Sequence, residues 1–448
     1  MKLSSGDDFT CAKLPDGTVK CWGYNDAGQL GQSLQTARSK VPVLVPNLQG
    51  VQSIVAGGRH VCVLLIDGRV QCWGDNSHGQ LGNGNTTLQT TPVGVSGLTN
   101  AVSIAAGADN TCALVKRADP SLELYCWGYN KVCQTGCLEN SGGPRENIGL
   151  LMDQSFNTPQ YIPISIQHQR GQRLPKIVMG NDIDFGAVSI CLIPADGSSP
   201  RCWGQNHGYQ IVDHSQRLVD NANDPSLTLS YQYNSPCWGM AFFPTFLESE
   251  EGAVDAAIGQ VHACFKRSNS EVVCHGVNSS GQLGVGDRDE HFPVPHRAGQ
   301  CFPPRPYRAG MTVPADYQFD PVAGVMYIGA PSLPPPPMVT PLPVSGLTSV
   351  SKLAAGDYHT CAIKSDGSLW CWGGNGLGQI GDGSRTWAVV PVEINVGGQV
   401  SDVDAGMDFT CAVVNGIRVK CWGNGGGGQL GDGQSYYQGS NVPVEVRF

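Results

Sequence analysis

This chain is poor in charge and has no long apolar run. Charged residues make up 15% of its 448 positions. No stretch of eighteen or more apolar residues offers a membrane-spanning helix. The sustained 3.6-residue apolar period of long helices is missing as well, which leaves short strands and turns. Basic tails and patches are absent. The formal net charge of -9 comes from scattered acids, so a phosphate backbone finds no counter-charge and nucleic acid is not expected as a partner. The opening "MKLSSGDDFT" has no apolar stretch behind Lys2 and does not read as a signal peptide.

Glycine (59 residues), proline (30) and cysteine (18) are abundant instead. An even number of regularly spaced cysteines suits an oxidising compartment. That address and the missing leader are reconciled if the targeting segment is absent from this sequence. The cysteines divide the chain into seven units. The first of each pair is Cys11, Cys62, Cys112, Cys191, Cys264, Cys361 or Cys411, and the second is Cys21, Cys72, Cys126, Cys202, Cys274, Cys371 or Cys421. Successive first cysteines lie 51, 50, 79, 73, 97 and 50 residues apart, a period near fifty interrupted three times. Each unit runs from an apolar strand ending in Gly through the first Cys, a turn, "CWG" and a Gly-rich "GQLG". In most units a Pro-Val strand follows. Several short strands per fifty residues mark a β-propeller or a solenoid.

The spacing within a pair follows from hairpin geometry. In "CAKLPDGTVKC" a three-residue loop, Pro15-Asp16-Gly17, with Gly17 in the left-handed bulge position sets Leu14 opposite Thr18 and therefore Cys11 opposite Cys21. Opposed residues on antiparallel strands have Cα atoms about 4.5 to 5.5 Å apart, within reach of a disulfide. Five of the seven pairs keep a separation of ten; Cys112–Cys126 and Cys191–Cys202 have longer turns. Zinc would need closer ligands converging on one point, so structural disulfides are expected, each worth about 2 to 3 kcal/mol in the chain-entropy account. The chain begins inside the apolar strand before Cys11 and ends in "NVPVEVRF". The last strand therefore looks like the missing first strand of the opening blade, and a propeller closed by such sharing leaves no open sheet. A solenoid would need capping units. The expectation is one all-β domain over residues 1–448, a seven-bladed propeller closed by its C-terminal strand joining the N-terminal blade.

"AGDYHTCAIKSDGSLWCWGGNGLGQIGDG", residues 355–383, resembles the repeat of the regulator of chromosome condensation family, which forms seven-bladed propellers. Units 1, 2, 6 and 7 match well; unit 3 has "KVCQTGC" for "GQLG", unit 4 has "GQNHGYQI", and unit 5 has His275 for the Trp. The founding nuclear member is a guanine-nucleotide exchange factor that binds chromatin. The cysteine pairs and the missing basic tail depart from it and point to a secreted, disulfide-bonded branch. The resemblance implies the fold far more than any activity.

The three interruptions, residues 131–176, 205–253 and 285–345, all follow "CWG" in units 3 to 5 and are expected to form a crest on one face. Loops this long are usually functional or disordered. Cys133, Cys137, Cys237 and Cys301 lie in them; Cys133–Cys137 with Cys237–Cys301 is the simplest of three pairings. The aromatics of 231–246 (Tyr231, Tyr233, Trp238, Phe242, Phe243, Phe246) are either an interface anchor or the insertion's own core. The run Pro334, Pro335, Pro336, Pro337 is either a docking strip or a stiff linker. His60, His262 and His359 stand two residues before their cysteines, where other units have Phe9, Asn110 and Phe409, a pattern of packing and not of ligands. The Asp-Gly turns are hairpin chemistry, not calcium loops. No nucleophile elbow, phosphate loop or metalloprotease helix occurs. Neither enzyme activity nor any cofactor or metal is expected. Asn85 and Asn278 fit the glycosylation pattern. The expected role is a secreted or surface-exposed protein-interaction scaffold, with self-assembly one form of it. Alternatives are an inhibitor of a secreted enzyme, like the propeller-type β-lactamase inhibitor, and a glycan-binding propeller.

Overall fold

The computed structural model describes residues 1–119, 121–129, 156–167, 173–180, 188–205, 240–247, 250–288, 305–306, 317–320, 325–328 and 341–448. Seven four-stranded antiparallel sheets are formed, six from four strands consecutive in the chain and one, blade 5, with three strands of another sheet between its third and fourth. Blade 1 consists of Lys2–Ser5, Phe9–Lys13, Val19–Tyr24 and Arg38–Leu44, and blade 2 of Val51–Ala56, His60–Leu65, Val70–Gly74 and Gln89–Gly94. Blade 3 consists of Ala101–Gly107, Asn110–Lys116, Ser121–Gly128 and Phe156–Gln167, and blade 4 of Lys176–Met179, Ser189–Ile193, Arg201–Gln205 and Met240–Phe246. Blade 5 consists of Ala253–Ile258, His262–Arg267, Val272–Gly276 and Leu342–Pro343. Blade 6 consists of Val350–Ala355, His359–Lys364, Leu369–Gly373 and Ala388–Ile394, and blade 7 of Val400–Ala405, Phe409–Val414, Arg418–Gly425 and Tyr436–Glu445. Each first strand touches the first strands of both neighbours, and Val400–Ala405 against Lys2–Ser5 completes the circle. The fold is a seven-bladed all-β propeller. Among the described residues no helix is long and apolar enough to cross a membrane.

The hairpin arithmetic holds. Leu14 N–H donates to Thr18 O at 2.8 Å, Gly17 has φ 86°, and Cys11 faces Cys21. Leu14 and Thr18 are a hydrogen-bonded pair, so alternation along the ladder makes Cys11 and Cys21 a non-hydrogen-bonded one, the type whose side chains lie closest. All seven repeat pairs face each other in register with Cα atoms 4.0–4.1 Å apart, and their sulfurs stand at bonding distance in fully buried positions. Cys133, Cys137, Cys237 and Cys301 lie outside the described residues.

Strand sharing at the closure is not what is found. Tyr436–Glu445 pairs with Arg418–Gly425 as the fourth strand of blade 7, and blade 1 has its own first strand in Lys2–Ser5. The C-terminal segment reaches the N-terminal blade by packing. The Phe448 ring meets the Trp22 ring edge-on at 5.8 Å, and Met407 N–H donates to Asp7 O at 3.3 Å. The extra sequence also differs in extent. The fourth strands of blades 3, 4 and 5 lie inside 131–176, 205–253 and 285–345, and the last range holds a further three-stranded sheet of Arg305–Pro306, Tyr317–Asp320 and Val325–Ile328.

Proline marks the outer strand. Opposite the "CWG" segment the ladder skips residues, and proline ends the skipped stretch in six blades: Pro42, Pro92, Pro159, Pro244, Pro391 and Pro443. In blade 5, Pro341 directly precedes Leu342, which faces Cys274. A residue with no N–H belongs where the ladder is broken and the strand is an edge. The glycine of "CWG" meets a different constraint. Gly423 has φ +99°, and a Cβ there would lie 2.4 Å from Asp408 O and 2.6 Å from Phe409 Cα. Gly423→Ala is expected to lower stability by about 3 kcal/mol in urea titrations, whereas Gly17→Ala, with open space around it, costs only the strain of its φ, about 1 kcal/mol.

Candidate functional site

The "CWG" and "GQLG" segments meet between blades. In five blades the indole N–H of the "CWG" Trp donates to the main-chain oxygen of the Gln in the preceding blade. The contacts are Trp73 to Gln29 (3.0 Å), Trp127 to Gln80 (2.9 Å), Trp372 to Gln282 (2.9 Å), Trp422 to Gln379 (2.9 Å) and Trp22 to Gln429 (2.8 Å). The last of these closes the ring. All five rings are fully buried, which satisfies the requirement that a buried Trp place its N–H.

The Gln-bearing turn is held by an asparagine four residues past the second cysteine, a role the sequence reading missed. Asn76 accepts from Leu81 N–H at 3.0 Å and donates to Asn85 O and Thr87 O, each at 3.0 Å. Asn25 and Asn375 do the same work. Asn278 is the fourth of this set. It is fully buried, accepts from Leu283 N–H at 3.1 Å and donates to Asp287 O at 3.2 Å, so it is not a glycan acceptor in the folded protein. Recurrence at a fixed offset was the available signal. Asn85 is exposed, and its Oδ1 accepts from Thr87 N–H at 2.8 Å.

The three repeat histidines are packing residues that also bridge blades. His60 Nε2 lies 2.8 Å from Thr111 Oγ1, whose hydroxyl donates to Gln80 O at 2.9 Å. Thr111 must therefore accept from the ring, which fixes His60 as the neutral Nε2–H tautomer. His359 uses Thr410 and Gln379 O in the same way, and His262 contacts Thr360 at 2.8 Å. Burial is the main cause that pushes these rings down to about 4, about 4 and about 3 for His60, His359 and His262.

The innermost strands carry an ion network between blades 6, 7 and 1. Lys352 Nζ lies 2.6 Å from Asp402 Oδ1, Lys2 Nζ lies 3.3 Å from the same oxygen, and Asp402 Oδ2 accepts from Leu3 N–H at 2.9 Å. Burial pushes the Asp402 carboxyl up, but the ammonium of Lys352 outweighs it and holds the group below the usual carboxylate range. Asp404 lies deep among packed strands yet keeps some exposure, and burial pushes it up to about 6. Lys176 and Asp255 form a further ion pair between blades 4 and 5. These contacts are structural. Among the described residues, no three of His, Cys, Asp and Glu form a group able to hold a metal.

Of the candidate interaction residues, Tyr231, Tyr233, Trp238 and Pro334, Pro335, Pro336 and Pro337 lie outside the described residues. Phe242, Phe243 and Phe246 belong to the fourth strand of blade 4, not to an insertion. The long connections proper join third to fourth strands in blades 3, 4 and 5, spanning 129–155, 206–239 and 277–341. The other four blades make the same join in about a dozen residues, from the end of one strand to the start of the next.

Fold and junctions together define a seven-bladed propeller in which five junctions are pegged by a Trp from one blade set into a Gln turn of the one before. Residues 2–29, 51–80 and 350–379 match the description of the regulator of chromosome condensation (RCC1) repeat, and residues 16–64, 67–114 and 366–413 match it in a second form. It is 25% identical over 361 residues to the Ultraviolet-B receptor UVR8 of Arabidopsis thaliana, covering 76% of this chain and 69% of that one. It is 33% identical over 324 residues to the E3 ubiquitin-protein ligase HERC2 of Homo sapiens, covering 64% of this chain but 6% of HERC2. Among solved structures it is similar to Prp20p of Saccharomyces cerevisiae, studied for its binding to Gsp1p and histones, with TM-score 0.65, 19% identity and coverage of 100% and 88%. The same protein, bound to Kap60, gives TM-score 0.64 with coverage of 100% and 85%. At this identity the likeness is one of fold.

Proposed function

We propose that this propeller is a non-enzymatic protein-interaction scaffold that works in oxidising surroundings, secreted or at a cell surface, and engages its partner through blades 3 to 5. The observation that carries the reading is the position of the three long connections. They occupy the same join in adjacent blades, so their ends emerge on the face where the other blades have short Gln turns. Ordering such lengths of chain is costly, and selection tolerates it where the loops bind. Prp20p, whose fold is similar, binds protein partners. The proposed address rests on fourteen fully buried, facing cysteines, which would be an unusual complement for a reducing compartment.

Two measurements test the two parts. Thiol titration of unreduced, denatured protein is expected to find no free thiol; fourteen or more would remove the oxidising address. Native isolation with cross-linking mass spectrometry is expected to capture a protein partner joined to residues 129–155, 206–239 or 277–341. A solitary ring, or cross-links confined to blades 6, 7, 1 and 2, would remove the scaffold reading. If the protein is secreted by a glycosylating cell, Asn85 is the position expected to carry the glycan.

A further inference from the structure

Asn-Gly pairs stand at Asn83, Asn375, Asn415 and Asn424, and the fold treats one of them differently. An Asn followed by Gly is open to attack on its Cγ by the next amide nitrogen, because glycine has no side chain to crowd the approach. Three of the pairs are shut. Gly84 N–H is spent on Asn157 O at 2.9 Å, and Asn83 Oδ1 accepts from Asn76 Nδ2 at 3.2 Å. Asn375 is fully buried, with Oδ1 accepting from Ile380 N–H at 3.0 Å and Nδ2 donating to Thr386 O at 3.0 Å. Asn424 and Gly425 lie in the strand Arg418–Gly425, where Asn424 Oδ1 accepts from Gly426 N–H at 3.1 Å and the buried Gly425 faces Tyr436. Asn415-Gly416 stands instead at the tip of the middle hairpin of blade 7. Its φ angles are 51° and 77°, Asn415 is exposed, and a Cβ on Gly416 would meet nothing within 4 Å. Asn415 Oδ1 accepts from Gln399 N–H at 3.0 Å, and Asn415 N–H donates to Gln399 O at 2.8 Å. Among the described residues nothing accepts from Gly416 N–H or from Asn415 Nδ2.

We infer that Asn415-Gly416 is a spontaneous deamidation site, which with age places a negative charge and, in one product, a longer backbone at the clasp joining the blade 6 to blade 7 link to the blade 7 hairpin. The reaction needs only water. Gly416 N gives up its proton to solvent and bonds to Asn415 Cγ; the Cγ–Nδ2 bond breaks, and Nδ2 takes a proton from solvent and leaves as ammonia. Water then opens the five-membered imide at either carbonyl, giving aspartate or isoaspartate. The oxygen that gathers charge during the attack is Oδ1, and Gln399 N–H already donates to it, which is what a developing oxyanion requires. The tip must rotate to bring nitrogen and Cγ together, and the open space around Gly416 allows that without breaking any packing on it. The Asp-Gly turns of blades 1, 2, 4 and 6 do not follow at neutral pH. Hydrogen bonds from Thr18, Arg69, Ser198 and Ser368 hold Asp16, Asp67, Asp196 and Asp366 below the usual carboxylate range, and an ionised carboxylate resists a nucleophile.

The test is peptide mapping by mass spectrometry after the full chain, disulfides intact, has aged in heavy-oxygen water at mildly alkaline pH, beside the same chain reduced and unfolded in denaturant. In the unfolded chain all the Asn-Gly pairs are expected to convert at comparable rates, each taking up heavy oxygen. In the folded chain Asn415 is expected to lead the others by about tenfold or more, because each of those must first open a hydrogen-bonded site. Asn415→Gln, whose longer side chain closes the ring far more slowly, is expected to remove the folded-state signal. Hydrogen exchange is expected to show lost protection of the Gln399 amide in the isoaspartyl fraction, whereas Asn415→Asp, which carries the charge on a normal backbone, keeps it. Conversion of Asn83, Asn375 or Asn424 in the folded chain as fast as Asn415, or an Asn415 that stays intact while the unfolded chain reacts, would overturn the site. A Gln399 amide equally protected in fresh and isoaspartyl protein would overturn its effect on the clasp.

Discussion

Lowering the pH from about 7 to about 4.5 is expected to cost this propeller about 2 to 3 kcal/mol for each of its three buried repeat histidines, and His359→Phe is expected to escape about a third of that loss. The unfolded chain protonates histidine near its ordinary value of 6.5, whereas in the fold burial pushes His60 and His359 down to about 4 and His262 to about 3. Between those values the unfolded state binds protons that the native state refuses, so stability is full above 6.5 and falls as pH drops through the window. Asp404 acts in the opposite sense. Its carboxyl is raised to about 6, so its contribution grows as pH falls below that value and offsets part of one histidine's share. Phenylalanine is chosen because Phe9 and Phe409 already fill the position in blades 1 and 7, and Phe409 faces a blade whose matching residue is Thr10, as His359 faces Thr410. Urea midpoints across the pH range would check it. Identical pH slopes in parent and variant would refute the assignment.

Trp22→Ala is expected to be the most destabilising single change at the ring closure, at about 4 kcal/mol, with Trp22→Phe recovering more than half of the loss. The ring of Trp22 is fully buried among Val446, Leu430 and Phe409, its N–H is spent on Gln429 O at 2.8 Å, and Phe448 stands against its edge. No strand is shared between blades 1 and 7, so side-chain packing and a few hydrogen bonds hold the closure. Removing the peg should therefore raise hydrogen exchange in both blades together. A loss of protection confined to blade 1 would show that the closure lies elsewhere.

Much of this was legible because hairpin geometry turns spacing into register. A separation of ten places two cysteines face to face, and the structure repeats that in five blades, three of them with an Asp-Gly turn between the pair. The phase of a circular repeat was not legible. "NVPVEV" reads equally well as the start of a blade or as its outer strand, and only the pairing of Cys421 with Val444 decides. The outer strands of blades 3 and 4 escaped notice because Gln160 and Thr245 stand opposite Cys126 and Cys202 where blades 1, 2, 6 and 7 place a valine. Phe242, Phe243 and Phe246 were assigned to an insertion for that reason. Asn278 was read through a three-letter pattern when its offset from Cys274 carried the information.

The prolines of the outer strands limit how copies of this ring can associate. Among the described residues no strand pairs with the outer side of any blade's fourth strand, and in or beside each of these strands a residue without an amide hydrogen interrupts the row of donors. A foreign strand laid along the perimeter would find its ladder broken at that point in all seven places. Lateral zippering of ring to ring is thereby discouraged, which leaves flat stacking or the long connections as the routes by which such molecules could be joined.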